Sequence, residues 1–347
     1  WIDPVQRGAG VSRRQGDRVN ARRKLLLALA AGALAMPFCA LAQQQGKPWR
    51  IGWLSPGSPA SHGFGLEAFR QRMRELGYAE NTGFAMEIRW AEGDIKRLPG
   101  FAAQIAKLKP DVIVSAGSTA HLAAQGATRS IPIVMVAGGD PVGLGLVASL
   151  ARPGGNITGQ SDQNEDVAPK MLELLHTTLP RARTVGVLIN PGNPLSESVF
   201  RNKLQQAATS FKLKLVRLNV TGPADLDAAF AAIEKTRPDA LLVLADALAA
   251  SYYQRIAEHL SRSKLPAIYP FSEFAEAGGL MSYSPSRPEA YRRAAMFVDK
   301  ILKGAKPAEL PVEQPLQFEL IVNLKAAKAL GIRIPQSILL RADRAIE

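Results

Sequence analysis

The sequence predicts two similar doubly wound α/β lobes, each a parallel sheet covered on both faces, joined by a hinge of several chain crossings. Three observations carry this. Continuous β-branched or apolar runs alternate with amphipathic helical stretches across Gly/Pro/Ser/Asp turns, the pattern of parallel strands buried on both faces. The pattern then repeats: RIGWLSPGSP from residue 50 answers TVGVLINPGNP from 184, KPDVIVSAGS from 109 answers RPDALLVLAD from 237, and IPIVMVAGGD from 131 answers LPAIYPFSEF from 265. The offsets, about 134, 128 and 134 residues, are nearly constant, which favours two lobes over one large sheet. Finally, the elements after residue 286 are left over from both halves and most simply cross back to complete them, and a link made of several crossings acts as a hinge.

The elements follow in order. Residues 50–54 read as a strand running into a Ser-Pro-Gly-Ser-Pro turn, and 64–76 as a helix stopped by Gly77. Strands are expected at 84–90, 112–115 and 131–136, with a helix at 98–108 and a short strand at 157–159. In the second half, strands at 184–189, 213–220, 240–244 and 265–269 alternate with helices at 196–210 and 224–235. The tail offers a basic amphipathic helix at 288–304, a polar loop, a strand at 318–323 and a short helix at 325–331. The expected division is residues 43–162 plus 285–315 for the N-terminal lobe and 163–284 plus 316–347 for the C-terminal lobe.

Residues 1–42 read as an N-terminal extension followed by a signal peptide. Arg22, Arg23 and Lys24 form a positive region, an uninterrupted small and apolar run of 11 residues follows, and Ala40-Leu41-Ala42 is an A-x-A cleavage pattern before a glutamine stretch. A membrane span needs roughly 20 apolar residues, about twice this core. Cys39 lacks the small preceding residue of a lipoprotein site, because Phe38 stands there. Cleavage near Ala42 alters the charge. The whole chain has 43 Lys+Arg against 30 Asp+Glu, a net of +13; the first 42 residues hold seven and two of these, leaving 36 and 28, or +8. The remaining chain has no cysteine, so it suits an oxidising compartment without disulfides. A periplasmic location is expected.

In open parallel sheets, ligands sit beyond the carboxyl ends of the strands, so the strand-end turns are the candidate site. In the first lobe these carry Ser55 and Ser58, Ser118 and Thr119 after Gly117, and Asp140 after Gly139. In the second they carry Asn190 and Asn193, Asp246, and Phe271 with Glu273. Hydroxyl and amide groups at helix starts bind carboxylates or other anionic oxygens, and an acidic residue receives an ammonium. Each such residue is also an ordinary cap or turn former; their convergence on one edge of both sheets is what points to a binding cleft.

Other chemistries lack their residues. The four histidines (His62, His121, His176 and His259) are scattered with no metal-ligand spacing, no G-x-S-x-G elbow is present, and Ser118 with His121 fits a helix start better than a catalytic dyad. The glycine run at 138–145 matches neither G-x-G-x-x-G nor a Walker A loop. Basic residues are interleaved with acids, which argues against a nucleic-acid partner. No metal and no cofactor are expected, and the chain is not expected to be an enzyme.

As a set, several stretches resemble the tryptophan/tyrosine-type ABC-transporter substrate-binding proteins, a branch of the type I periplasmic binding proteins. They include FRQRMRELGY from residue 69, RWAEGD from 89, KPDVIV from 109, IPIVMVA from 131, GDPVG from 139, LVASLARPGGNITG from 146, PGNP from 191, EAGGLMSY from 276 and VDKILKG from 298, and the likeness spans roughly residues 49–346. The resemblance implies a monomeric receptor that holds a small solute between its lobes by hinge closure and presents it to an ABC permease in the inner membrane. It places the ligand-binding segments after the first, third and fourth strands of each lobe, here Ser55 and Ser58, Ser118 and Thr119, Asp140 and Pro141, facing Asn190 and Asn193, Asp246, and Phe271 and Glu273. The family name suggests an aromatic amino acid, and Tyr252, Tyr253, Tyr269 and Phe271 offer rings for stacking or for core packing. The alternatives are a ligand sensor or an enzyme on the same two-lobed fold.

Overall fold

The computed structural model describes residue 1 and residues 47–162 and 164–347; the extension and signal peptide expected at 1–42 lie outside these apart from the first residue. The first lobe is built from β1 (Trp49–Ser55), α1 (Pro59–Glu75), β2 (Phe84–Trp90), α2 (Leu98–Lys107), β3 (Val112–Ala116), α3 (Ser118–Ala127), β4 (Ile133–Val136) and β5 (Ile157–Gly159). The second contains α4 (Asn164–Thr178), β6 (Thr184–Ile189), α5 (Pro194–Ser198), which continues through a π-helical stretch into α6 (Gln205–Ser210), then β7 (Lys214–Asn219), α7 (Asp225–Thr236) and β8 (Ala240–Val243). It continues with α8 (Ala247–Ser251), α9 (Tyr253–Arg262), β9 (Ala267–Tyr269), α10 (Ser272–Glu276) and β10 (Met281–Pro285). The tail supplies α11 (Arg287–Leu302), β11 (Phe318–Asn323), α12 (Leu324–Ala329), α13 (Gln336–Leu339) and β12 (Arg344–Ile346).

The two sheets share a topology. The first runs β2-β1-β3-β4-β5, all parallel; the second runs β7-β6-β8-β9-β10 in the same order and extends through β11 and β12. The β10–β11 pair is antiparallel, a departure from the all-parallel expectation. Its cause is the tail: the chain leaves the second sheet at β10, adds α11 to the first lobe, and returns along β10 in the opposite direction. The crossings are symmetric. After β5 the chain passes to α4, which packs on the second sheet; after β10 it passes to α11, which packs on the first. A third crossing lies between Glu313, bridged to Gln160 beside β5, and β11.

Alternation along the strands sends side chains to both faces. In β1, Ile51 and Trp53 point to the face covered by α1 and α11, among Phe69, Met73 and Phe297, while Leu54 points to the face covered by α2 and α3, among Leu98, Ile105 and Ala124. The second sheet is likewise enclosed, with Met171, Val199 and Leu242 on one side and Phe230, Ile256 and Leu241 on the other. Burying such side chains contributes roughly 1.5–3 kcal/mol each.

The structure differs from the sequence reading in three local respects. Helix α1 starts at Pro59, five residues before the expected start, because Ser58 caps it and Ser61 completes a capping box, which turns an apparent Ser/Pro/Gly loop into a helix start. Helix α4, in a stretch for which no helix was expected, begins at Asn164 and passes through Pro169. Helix α9, strongly amphipathic with Ile256, Ala257 and Leu260 buried, and the short elements α8, β10 and β12 are additions to the elements expected from sequence.

Candidate functional site

The carboxyl ends of the strands of both sheets meet at one cleft, whose walls come from both lobes and from the crossover into α11. The space between its walls, open solvent at the mouth included, is about 720 Å³. The first lobe contributes Pro56, His62, Ala116 to Thr119, Ala137, Gly138 and Asp162; the second contributes Asn193, Leu195, Ala245 to Ala247, Ala250 and Phe271; the crossover contributes Pro285, Arg287 and Tyr291.

In the first lobe, Gly117 precedes α3 with φ of 79° and gives no side-chain cap. The first-turn N–H groups of Ser118 and Thr119 therefore stand at the cleft wall without a capping side chain, and the helix dipole makes that end attractive to an anion. The facing loop is pinned by His121. Its Nε2 donates to the carbonyl of Ala137 (2.8 Å), so Nδ1 carries the lone pair and accepts from the Ser115 hydroxyl (2.8 Å). Ser118 Oγ in turn accepts from Gly139 N (3.3 Å), and Asp162 N donates to Gly138 O (2.6 Å). His121 is thus a strut of the cleft wall, bonded to Ser115 rather than to Ser118.

Burial lowers the His121 pKa to about 4, with the bond to Ala137 opposing in part. Because the ring stays neutral in the fold while an unfolded histidine takes up a proton near pH 6.5, its contribution is complete above that pH and is lost as pH falls towards 4. A slope of up to about 1.4 kcal/mol per pH unit is expected across that window in denaturant titrations, and His121→Gln should flatten it.

The second lobe supplies the opposite polarity. Asp246 caps α8, with Oδ1 accepting from Leu248 N (2.9 Å) and from Asn190 Nδ2 (3.0 Å), while Oδ2 accepts from Asn193 Nδ2 (2.9 Å). Asn193 also caps α5 through Leu195 N (3.1 Å), and Asn190 Oδ1 accepts from Gly192 N (2.9 Å). Burial raises the Asp246 pKa, and these hydrogen bonds pull it back. The result is a buried carboxylate, held rigid by two asparagines, at the wall facing the α3 end.

Of the residues expected from sequence, Ser118, Thr119, Asn193, Asp246 and Phe271 line the cleft. Asn190 sits behind them, bonded to Asp246. Glu273 lines an adjoining cavity and pairs with Arg287 (2.6 Å). Ser55, Ser58, Asp140 and Pro141 do not line it. Ser55 is fully buried with its hydroxyl on Gly57 N (3.3 Å), and Ser58 is engaged in the α1 capping box. Asp140, at φ of 43°, turns its carboxylate back to Gly143 N (2.7 Å), and the Pro141 carbonyl accepts from Leu146 N (2.8 Å). Tyr269 stacks on Phe274 (4.6 Å) within the core, and Tyr253 lines the adjoining cavity.

Three cleft residues were not singled out in the sequence. His62, on the first turns of α1, is held neutral by burial and by the charge of Arg287, with Nδ1 2.9 Å from Ser61 Oγ. Arg287 and Tyr291 occupy the first turns of α11, and burial raises the Tyr291 pKa to about 12. Only the crossover after β10 brings these two to the strand ends. The cleft thus offers N–H donors and a guanidinium, the buried carboxylates of Asp162 on the first lobe and Asp246 on the second, and the rings of Phe271 and Tyr291. Among the described residues no group of three or more His, Cys, Asp or Glu is placed to hold a metal, and no helix is long and apolar enough to cross a membrane.

The sequence pattern of the ABC transporter substrate binding protein family matches residues 65–346. The chain is 26% identical over 267 residues to a tyrosine-binding protein of Clostridioides difficile (strain R20291), covering 77% of this chain and 76% of that protein. Its fold superposes on an ABC domain from Streptococcus pneumoniae in complex with L-Trp, with a TM-score of 0.79, 27% identity, and 86% of this chain and 100% of that one covered. A substrate-binding protein with adhesive properties from Clostridium difficile, in a ligand-free, open structure, gives a TM-score of 0.61 at 26% identity, over 86% and 99% of the two chains.

Proposed function

Since the chain belongs to the ABC transporter substrate-binding proteins, we propose that it is the periplasmic receptor of an importer, capturing a small zwitterionic solute between its lobes and delivering it to an ABC permease in the inner membrane. The observation that carries the reading is the polarity of the cleft. A buried carboxylate, Asp246, lies on one lobe and the start of α3 lies on the other, both on the wall of one cavity. An amino acid satisfies both, its ammonium on Asp246 and its carboxylate on the Ser118 and Thr119 N–H groups. Phe271 and Tyr291 suit an aromatic side chain, in keeping with the solutes named for the relatives. Residues 22–42 serve as the export signal in this reading.

A solute that touches both lobes binds the closed arrangement more tightly than the open one and shifts the hinge equilibrium by that difference. In support, this chain superposes better on the L-Trp complex than on the open, ligand-free relative, 0.79 against 0.61, at nearly equal identity. The test is a thermal-shift screen of L-amino acids, led by L-tyrosine and L-tryptophan, with small-angle scattering on any hit. A cognate solute at 100 times its Kd is expected to stabilise by about 2.7 kcal/mol and to compact the protein. A screen in which no amino acid stabilises the fold, or binding at constant radius, overturns the reading.

A further inference from the structure

Arg287 stands where the two lobes and the crossover meet, at the first position of α11, immediately after the chain leaves the second sheet. Its guanidinium carbon lies 4.6 Å from the ring centre of Phe64, on α1 of the first lobe, and 4.5 Å from that of Phe271, beyond β9 of the second. The two rings therefore sandwich one cation. Nη1 donates to Glu273 Oε1 at 2.6 Å, and the side chains of the pair are only 12% and 27% exposed. The same guanidinium is part of the wall of both the main cleft and an adjoining cavity lined by Ser61, Phe64, Tyr253 and Phe274.

We propose that Arg287 is a positioning residue for solute binding: it holds the closed cleft by clamping Phe64 of one lobe to Phe271 of the other, with Glu273 as its anchor. A desolvated guanidinium attracts the faces of both rings, and an ion pair shielded by those rings escapes most solvent screening. Arg287 is carried by α11, which packs on the first lobe beside α1 and Phe64, whereas Phe271 and Glu273 belong to the second lobe. The contacts that opening must break are therefore those to Phe271 and Glu273, with Phe64 backing the guanidinium from its own lobe. These contacts tie closure to an attraction that exists without solute, and the clamp sets how much of the solute's binding free energy is spent on moving the lobes.

The inference rests on the two-lobed receptor reading, and its main test needs no solute. Small-angle scattering of the solute-free protein is compared for the wild type, Arg287→Ala, Phe271→Ala and the double variant, with far-ultraviolet circular dichroism to establish folding. Arg287→Ala and Phe271→Ala are each expected to enlarge the radius of gyration, and the double variant to add nothing to Arg287→Ala, because Arg287→Ala already removes the contact that Phe271→Ala removes. Arg287→Lys keeps the charge on Glu273 and loses the flat face, so a partial opening is expected even if Arg287→Ala fails to fold. Titration with L-tyrosine or L-tryptophan, whichever the wild type binds, should then show at least a fivefold weaker Kd for Arg287→Ala, through faster release. An unchanged radius in the folded variants, additive opening in the double variant, or full retention of closure by lysine overturns the clamp. If the wild type binds neither amino acid, the solute reading fails while the scattering result still decides the clamp.

Discussion

Asp246→Asn should weaken amino-acid binding about 100-fold or more while leaving a folded protein. Asp246 is a deeply buried carboxylate on the cleft wall, fixed by side chains of its own lobe through Asn190 Nδ2 at 3.0 Å and Asn193 Nδ2 at 2.9 Å. Removing one member of a buried, hydrogen-bonded charge pair costs 2–5 kcal/mol or more, and a hundredfold corresponds to about 2.7 kcal/mol. The unliganded protein responds differently. Burial raises the Asp246 pKa, so the fold holds this proton more firmly than the unfolded chain does, and the charge subtracts stability once pH rises above the ordinary carboxylate range. The asparagine variant is relieved of that term. Against the relief stands a new donor facing the Asn193 amide, which cannot turn away because its Oδ1 caps α5. The two effects oppose, so the melting temperature should move by only a few degrees.

Binding should carry a pH signature as well. A solute ammonium stabilises the ionised carboxylate, so binding expels the proton that burial favours, and affinity rises with pH across the raised Asp246 titration. Isothermal titration of L-tyrosine or L-tryptophan from pH 4 to 8 would record this in the wild type and its loss in Asp246→Asn. Equal affinities for the two proteins at neutral pH would remove Asp246 from the ammonium site.

Much of the architecture was legible because parallel strands announce themselves. The runs Val112–Ala116 and Ala240–Val243 each follow a Pro-Asp pair and are buried throughout, and no amphipathic helix reads that way. The strand-end rule led to loops that line the cleft, among them those of Ser118 and Asp246. It was silent on which side chains in those loops are already spent. Ser55 and Asp140 sit at strand ends but satisfy backbone N–H groups of their own turns, Gly57 and Gly143, so local geometry removes them from the cleft. Arg287 and Tyr291 were invisible for the opposite reason. Their stretch reads as a basic amphipathic helix, and only the crossing after β10 carries its first turns to the strand ends of both lobes. Local pattern predicts elements; it does not report which residues a long-range crossing will deliver.

Trp53→Ala should cost about 3–5 kcal/mol, the largest stability loss of any substitution considered, and should also loosen the binding cleft. Trp53 is 1% exposed at the centre of β1, stacked on Tyr291 at 5.7 Å, with Phe69 at 5.4 Å and Trp90 at 6.4 Å in edge contact. Deleting a buried indole removes its transfer free energy and leaves a cavity that three large rings cannot collapse to fill. For a lobe of this size, each kcal/mol lowers the melting temperature by roughly 2–4 °C, so a drop of at least about 6 °C is expected in scanning calorimetry. Trp53→Phe should cost far less, because the indole N–H finds no acceptor among the described residues and its removal relieves an unsatisfied buried donor. The functional consequence follows from Tyr291, which Trp53 backs from the core and whose other side is the cleft wall. Tyr291 is also pressed against Gly65 of α1, where any side chain would strike its ring. Trp53→Ala therefore takes away the core-side support while α1 still pushes, and the ring is free to tilt into the vacated space. Solute affinity should fall several-fold in the folded variant at temperatures well below its melting point. Undiminished affinity there would mean that Tyr291 is held by α1 and α11 alone, and that the core of the first lobe stabilises the fold without shaping the site.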